Sequence, residues 1–158
     1  MAKKSKFGKW GETTKTGRKR NTTEIFTPDW VVKMMCDMLQ EENADIDAFA
    51  PEKTFLEPSC GDGQFVVEIY RRKLSRCHSR QDAETALASV TAIEMQQDNM
   101  EECKARVRAL FAEYGYSDLD FESVFATNFI VDDALKVMRQ WEEEKNRVSC
   151  RFFKETEK

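Results

Sequence analysis

The sequence predicts an α/β fold, a parallel β-sheet with flanking helices, and three observations predict it. Short apolar segments alternate with helical stretches of about ten to eighteen residues, the pattern of βαβ units. A glycine-bearing turn, "EPSCGDGQF", joins the first of those segments to the helix beyond it. A hydrophobic fraction of 41% in 158 residues is enough for one packed domain.

The elements come in order. Residues 1–22 show no periodicity and are expected to form a disordered or extended arm, with the domain spanning residues 23–158. In "TPDWVVKMMCDMLQEE", Thr27 can cap, Pro28 suits a first helical turn and Asp29 complements a helix N-terminus, so a helix is predicted from Pro28 to Glu42. Val31, Val32, Met35, Met38 and Leu39 recur on its apolar face. A loop leads to a strand at Lys53–Glu57, then a helix at Gln64–Ser75. "SRQDAETA" is polar and reads as loop or helix. Ala88–Glu94 is a second strand. Gln97–Tyr114 is a long helix with Met100, Cys103, Val107, Leu110 and Phe111 on one face. Asp120–Thr127 is predicted as a third strand and Asp133–Lys145 as a helix. "NRVSCRFF" is a fourth, weaker strand signal.

Charge is unevenly spread. Residues 1–20 contain eight Lys or Arg against Glu12 alone, a net +7, so the remainder of a chain of net charge −4 carries −11. A basic arm on an acidic body fits a polyanionic partner, DNA above all, contacted through Lys3, Lys4, Lys6, Lys9, Arg18, Lys19 and Arg20, with Trp10 able to stack on bases. The plainer alternative is a solubilising tail. No apolar run is long enough to span a bilayer and no apolar segment comes after the basic start, so neither a membrane anchor nor a secretory signal is expected. The five cysteines lack CxxC spacing, which predicts free thiols in a reducing cytoplasm and no zinc site. His78, in "SRCHSRQD", reads as a solvated loop residue.

Ligands of open α/β sheets bind outside the C-terminal ends of the strands, near the point where strand order reverses. Each predicted strand here ends in something usable. The first ends at Glu57, before Gly61 and Gly63, which let backbone approach a ligand. The helix N-terminus beyond them favours an anionic group. The second ends at Glu94, placed to accept hydrogen bonds from a ribose diol. After the third comes "TNFIVDDAL", where Asp133 can accept from an exocyclic amine. The turn is GxG without a third glycine, and a carboxylate precedes it, an awkward neighbour for a pyrophosphate. That arrangement suits a ligand with an ammonium group, a ribose and a purine, as in S-adenosylmethionine.

"LEPSCGDGQF" resembles motif I of the amino-group DNA methyltransferases, which methylate adenine N6 or cytosine N4. "IFTPDWVVKMM" resembles the Phe-x-Thr-Pro segment upstream of motif I in the gamma-type arrangement of type I modification subunits. "AIEMQQDNMEECKARV" is similar to motif II and "NFIVDDAL" to motif III, and the four segments stand in gamma-type order. The chain as a whole is similar to small phage- or prophage-borne modification proteins of restriction-modification systems. The resemblance implies a Rossmann-like class I methyltransferase fold, truncated after three or four strands. It implies S-adenosylmethionine bound by Phe26, Thr27, Glu57, Pro58, Cys60, Gly61, Gly63, Phe65, Glu94, Met95 and Asp133.

The family's catalytic acid-or-amide-Pro-Pro-aromatic motif has no counterpart. The prolines are Pro28, Pro51 and Pro58, none paired and none after motif III, so no catalytic residue is assigned. The resemblance therefore implies a DNA adenine methyltransferase, or its cofactor-binding half, whose catalytic and target-reading parts come from a second chain or a second copy. The alternatives are an inactive methyltransferase-like accessory, DNA-binding or anti-restriction module, and a small domain for another nucleotide.

Overall fold

Pro28, extended at φ −60° and ψ 143°, holds the position before the first helix and leaves its carbonyl to accept from Val31 and Val32. Thr27 is thus one residue too early to cap, and Asp29 instead opens the helix and pairs with Lys33 across one turn at 2.8 Å. The structure, a computed structural model, describes the backbone of residues 27–155 and the side chains of residues 27–145. Phe26 and the basic arm lie outside the described residues.

Helix α1 spans Asp29–Glu42, strand β1 Phe55–Glu57 and helix α2 Gln64–Leu74. Helix α3, Arg80–Ala88, turns the ambiguous polar segment into a helix through a capping box. Ser79 accepts from the Asp82 amide, and Asp82 accepts from the Ser79 amide in return. Strand β2 is Val90–Glu94 and helix α4 Gln97–Glu113.

Two predicted strands are helical. Residues 121–128 form α5, Phe121–Asn128, and the third strand, β3, is the next three residues, Phe129–Val131. The reason is visible in the residues: Phe121, Val124 and Phe125 have i, i+3, i+4 spacing rather than alternation, and Asp120 caps them by accepting from the Ser123 amide at 3.1 Å. "NRVSCRFF" continues the last helix, α6, Ala134–Glu155, instead of forming a fourth strand.

All three strands are parallel, in the order β1-β2-β3. Phe55 pairs with Val90 and Glu57 with Ala92, while Ala92 pairs with Phe129 and Glu94 with Val131. The order runs one way, so the expected reversal of strand order is absent among the described residues, and β1 is an edge strand.

Phe55, Val90, Ala92 and Phe129 alternate onto one sheet face and join one core with side chains from α1 to α5. An aromatic chain ties that core together. Tyr70 meets Phe111 edge-on at 5.2 Å, Phe111 meets Phe121 at 5.5 Å, and Phe125 meets Phe129 at 4.5 Å. The opposite sheet face carries Leu56, Thr91, Ile93 and Ile130. Of these only Ile93 is fully buried, and Leu56 is 45% exposed. Buried Lys73 pins the loop before β1 by donating to the carbonyls of Ala50 at 2.9 Å and Lys53 at 2.5 Å. Burial depresses its ammonium to about 8.

Gly63 fixes how the β1–α2 turn sits on α4. Its φ is +92°, and a Cβ there would stand 2.6 Å from the Cys103 sulfur. We expect Gly63→Ala to cost about 3 kcal/mol, the sum of left-handed strain and overpacking. Urea unfolding measures it, and adding Cys103→Ala removes the sulfur clash and should recover part of the packing cost, leaving the 3.1 Å contact with the residue 103 Cβ and the backbone part.

Candidate functional site

The C-terminal ends of β1 and β2 lie side by side because Glu57 is in register with Ala92, two residues before Glu94. The turn after β1 then folds back over β2. Cys60 donates its amide to the Ile93 carbonyl at 3.0 Å, and Gly61, at φ +54°, donates to Glu94 Oε2 at 2.9 Å. The other Glu94 oxygen accepts from the Gln96 amide at 3.0 Å. Glu94, buried at the tip of β2, thus orients two backbone segments and keeps further lone pairs for a ligand.

Glu57 is the complementary case. It is partly buried, and within the turn it accepts from the Ser59 amide at 3.3 Å. Burial pushes its carboxyl above 4.5, the Ser59 amide only partly opposing this. A half-buried carboxylate without a paired cation among the described residues fits an incoming ammonium group.

Asp62 and Arg106 brace the far side of the turn. Arg106 donates to the Asp62 carbonyl at 2.9 Å, and its guanidinium lies 3.2 Å from Asp62 Oδ1, a buried oxygen without hydrogen-bond geometry. Burial raises the Asp62 carboxyl, Arg106 holding it down. Nothing in motif spacing points to Arg106, which stands mid-helix on α4. Asn128 opens the segment similar to motif III, and its side-chain amide donates to the Ala88 and Val90 carbonyls and ties α5 to the start of β2.

Of the other predicted residues, Cys60 is buried. Its contact with the Cys103 thiol and its burial push its own thiol far up, so it supplies backbone and is no nucleophile. Gly63 packs against Cys103, where a Cβ would stand 2.6 Å from the sulfur. Phe65 packs on the core. Pro58 is exposed at the turn and Thr27 half-buried before α1. Met95 is 70% exposed at the tip of β2. Asp133 stands beyond β3 and caps α6, its Oδ1 accepting from the Leu135 amide at 2.8 Å. Asp132 pairs with Lys136 at 2.7 Å, which holds its carboxyl low.

No family model, curated protein or solved structure matches the chain. Among the described residues no helix is long and apolar enough to cross a membrane.

The raised Glu57 carboxyl gives a pH signature. Its folded value lies above the unfolded one, so the stability tied to its protonated form is complete below about pH 4.5 and is lost as pH rises through the folded value. Glu57→Gln removes that loss. Thermal melts should find the variant more stable than the parent at about pH 7.5 and the two alike at about pH 3.5.

Proposed function

We propose that this chain is the cofactor-binding half of an S-adenosylmethionine-dependent DNA methyltransferase of the adenine N6 type. The observation that carries the reading is the Gly61–Glu94 hydrogen bond. It brings the turn after β1 and the acid of β2 to one edge of the sheet, with Glu57 on the neighbouring tip. In this reading Glu57 receives the ammonium of the methionine moiety and the amides of the turn face its carboxylate. Glu94 accepts from the ribose hydroxyls with the lone pairs that Gly61 and Gln96 leave. Met95, Leu135 and Asp133 flank the purine. S-adenosylmethionine would supply an electrophilic methyl group, and this chain's residues would bind and orient it. Phe26 and Thr27 would close over the methionine end.

The basic arm, outside the described residues, is read as the DNA contact. A partner chain or second copy would supply the motif that receives a base extruded from the duplex. The alternative, an accessory module that retains the fold without catalysis, is favoured by one observation: none of the three prolines forms the Pro-Pro-aromatic motif. Methyl transfer to unmethylated DNA by the chain together with the products of neighbouring genes separates the two.

Calorimetry with three ligands tests the pocket. S-adenosylmethionine and S-adenosylhomocysteine carry the amino-acid part, and 5′-methylthioadenosine lacks it. Glu57→Gln should weaken the first two about tenfold or more and leave the third unchanged, since one charge-assisted hydrogen bond is removed. Glu94→Gln should weaken all three. Binding of NAD or ATP in preference to all of them would sink the reading.

Deleting residues 1–20 should flatten the salt dependence of DNA binding by roughly 0.9 in slope for each phosphate the arm neutralises. An unchanged slope in fluorescence anisotropy would remove the arm from the interface.

A further inference from the structure

We infer that Arg106 of α4 is a positioning residue of the candidate site: it anchors Asp62, and through Asp62 it keeps the Gly61 amide on Glu94, without touching the ligand. The ligand part of this inference rests on the proposed cofactor reading; the hold on the turn requires no cofactor. The sequence shows why an anchor is needed. Asp62 stands between Gly61 and Gly63, at φ +54° and +92°. Each peptide beside residue 62 thus has a glycine at one end, where no Cβ resists its rotation. The conformation of this stretch is set by what grips it from outside.

Arg106 supplies that grip at Asp62. Its Nη1 donates to the Asp62 carbonyl at 2.9 Å and lies 3.2 Å from Oδ1 of the same residue, so one guanidinium nitrogen spans backbone and side chain. Nη2 donates to Gln64 Oε1 at 3.4 Å, and Gln64 Nε2 donates to Asp62 Oδ2 at 3.4 Å, which closes a ring of three residues. Asp62 Oδ1 is buried without a hydrogen bond, and among the described residues no other cation pairs with this carboxylate. A buried carboxylate that loses its cation turns toward water, since leaving it unpaired is costly. The flanking glycines let the backbone turn with it.

The consequence reaches Glu94. Its Oε2 accepts from Gly61, the residue before Asp62, and its Oε1 accepts from Gln96. Rotation about residues 61 and 62 withdraws the first donor and leaves the carboxylate held from one side only. Glu57 is insulated from this. It stands in β1 and accepts from Ser59, ahead of the Cys60 bond to the Ile93 carbonyl. Loss of Arg106 is therefore felt at the proposed ribose subsite and not at the ammonium subsite. A direct effect of the guanidinium charge has the opposite signature, because it acts on a ligand's carboxylate and spares a ligand without one.

Two measurements on the full chain test it. Without ligand, hydrogen exchange followed by NMR should find the Gly61 amide roughly tenfold faster in Arg106→Met than in the parent, with the amides inside β2 unchanged. Unchanged exchange at Gly61 overturns the inference. So does faster exchange at Gly61 and β2 alike, which marks a general loss of stability. In calorimetry, Arg106→Met should weaken S-adenosylmethionine, S-adenosylhomocysteine and 5′-methylthioadenosine by one common factor, about fivefold. A loss confined to the two that carry a carboxylate, or no loss, also overturns it. Should Arg106→Met fail to fold, Arg106→Lys carries both measurements, with the same pattern and about threefold changes, since it keeps the charge and loses the arm to Gln64. A parent chain that binds none of the three ligands removes the cofactor reading, and the exchange result then decides by itself whether Arg106 holds the Gly61–Glu94 bond.

Discussion

A single carboxylate holds the turn after β1 in place. Strand β1 is only three residues long and has one neighbour in the described sheet, so its ladder alone gives little grip on the turn beyond it. Glu94 supplies the grip from the next strand by accepting the Gly61 amide, and the Cys60 amide adds a second bond to the Ile93 carbonyl. A bond from a backbone N–H to a buried carboxylate is charge-assisted and stronger than a neutral one. Gly63 then rests on Cys103 with no room for a side chain, and Arg106 holds the Asp62 carbonyl. The turn is thus fixed from β2 on one side and from α4 on the other, and α2 starts in a defined direction.

That arrangement explains which parts are legible in the sequence. The helix–strand alternation from Pro28 to Tyr114 is readable because each element has its own punctuation: Pro28 with Asp29, the glycine turn, and the polar stretch before α4. Elements β1, α2, β2 and α4 fall within two residues of their expected ends. After Tyr114 the expected strand fails on Phe121, Val124 and Phe125. Their aromatic and β-branched content favours a strand, while their spacing and the Asp120 cap are helical. Cap and period together outweigh composition in so short a segment. The site is half legible. Glu57, Gly61 and Glu94 stand where the motif spacing puts them, but their mutual bonds depend on register, and Arg106 and Asn128 act through contacts that no spacing encodes.

The fold is also lopsided in a way the sequence foretells without explaining. Of the predicted apolar face of α1 the structure buries Val32, joined by Cys36, and leaves Met35, Met38 and Leu39 exposed. The helix is amphipathic as expected, and what differs is the supply of neighbours. Parallel sheets are ordinarily covered on both faces. Here the aromatic chain from Tyr70 to Phe129 concentrates the core on one face, while Leu56, Thr91 and Ile130 on the other remain at least partly open. The core that results is continuous from α1 to β3.

The same lopsidedness divides the candidate site. On the Glu57–Glu94 side the turn is held in a fixed direction, and the carboxylates stand ready in different states: one carrying two amide donors, the other raised by burial and short of partners. Beyond the tips of β2 and β3 the apolar side chains are uncovered, with Met95 at 70% and Leu135 at 69% exposure. Preorganised polar groups hold their geometry without a ligand, whereas apolar walls close only when something apolar fills them. A ligand with a charged end and an aromatic end would therefore meet a finished subsite for the first and an unfinished one for the second. The charged end would set the position of such a ligand, and the aromatic end would gain its burial from Met95 and Leu135 closing over it.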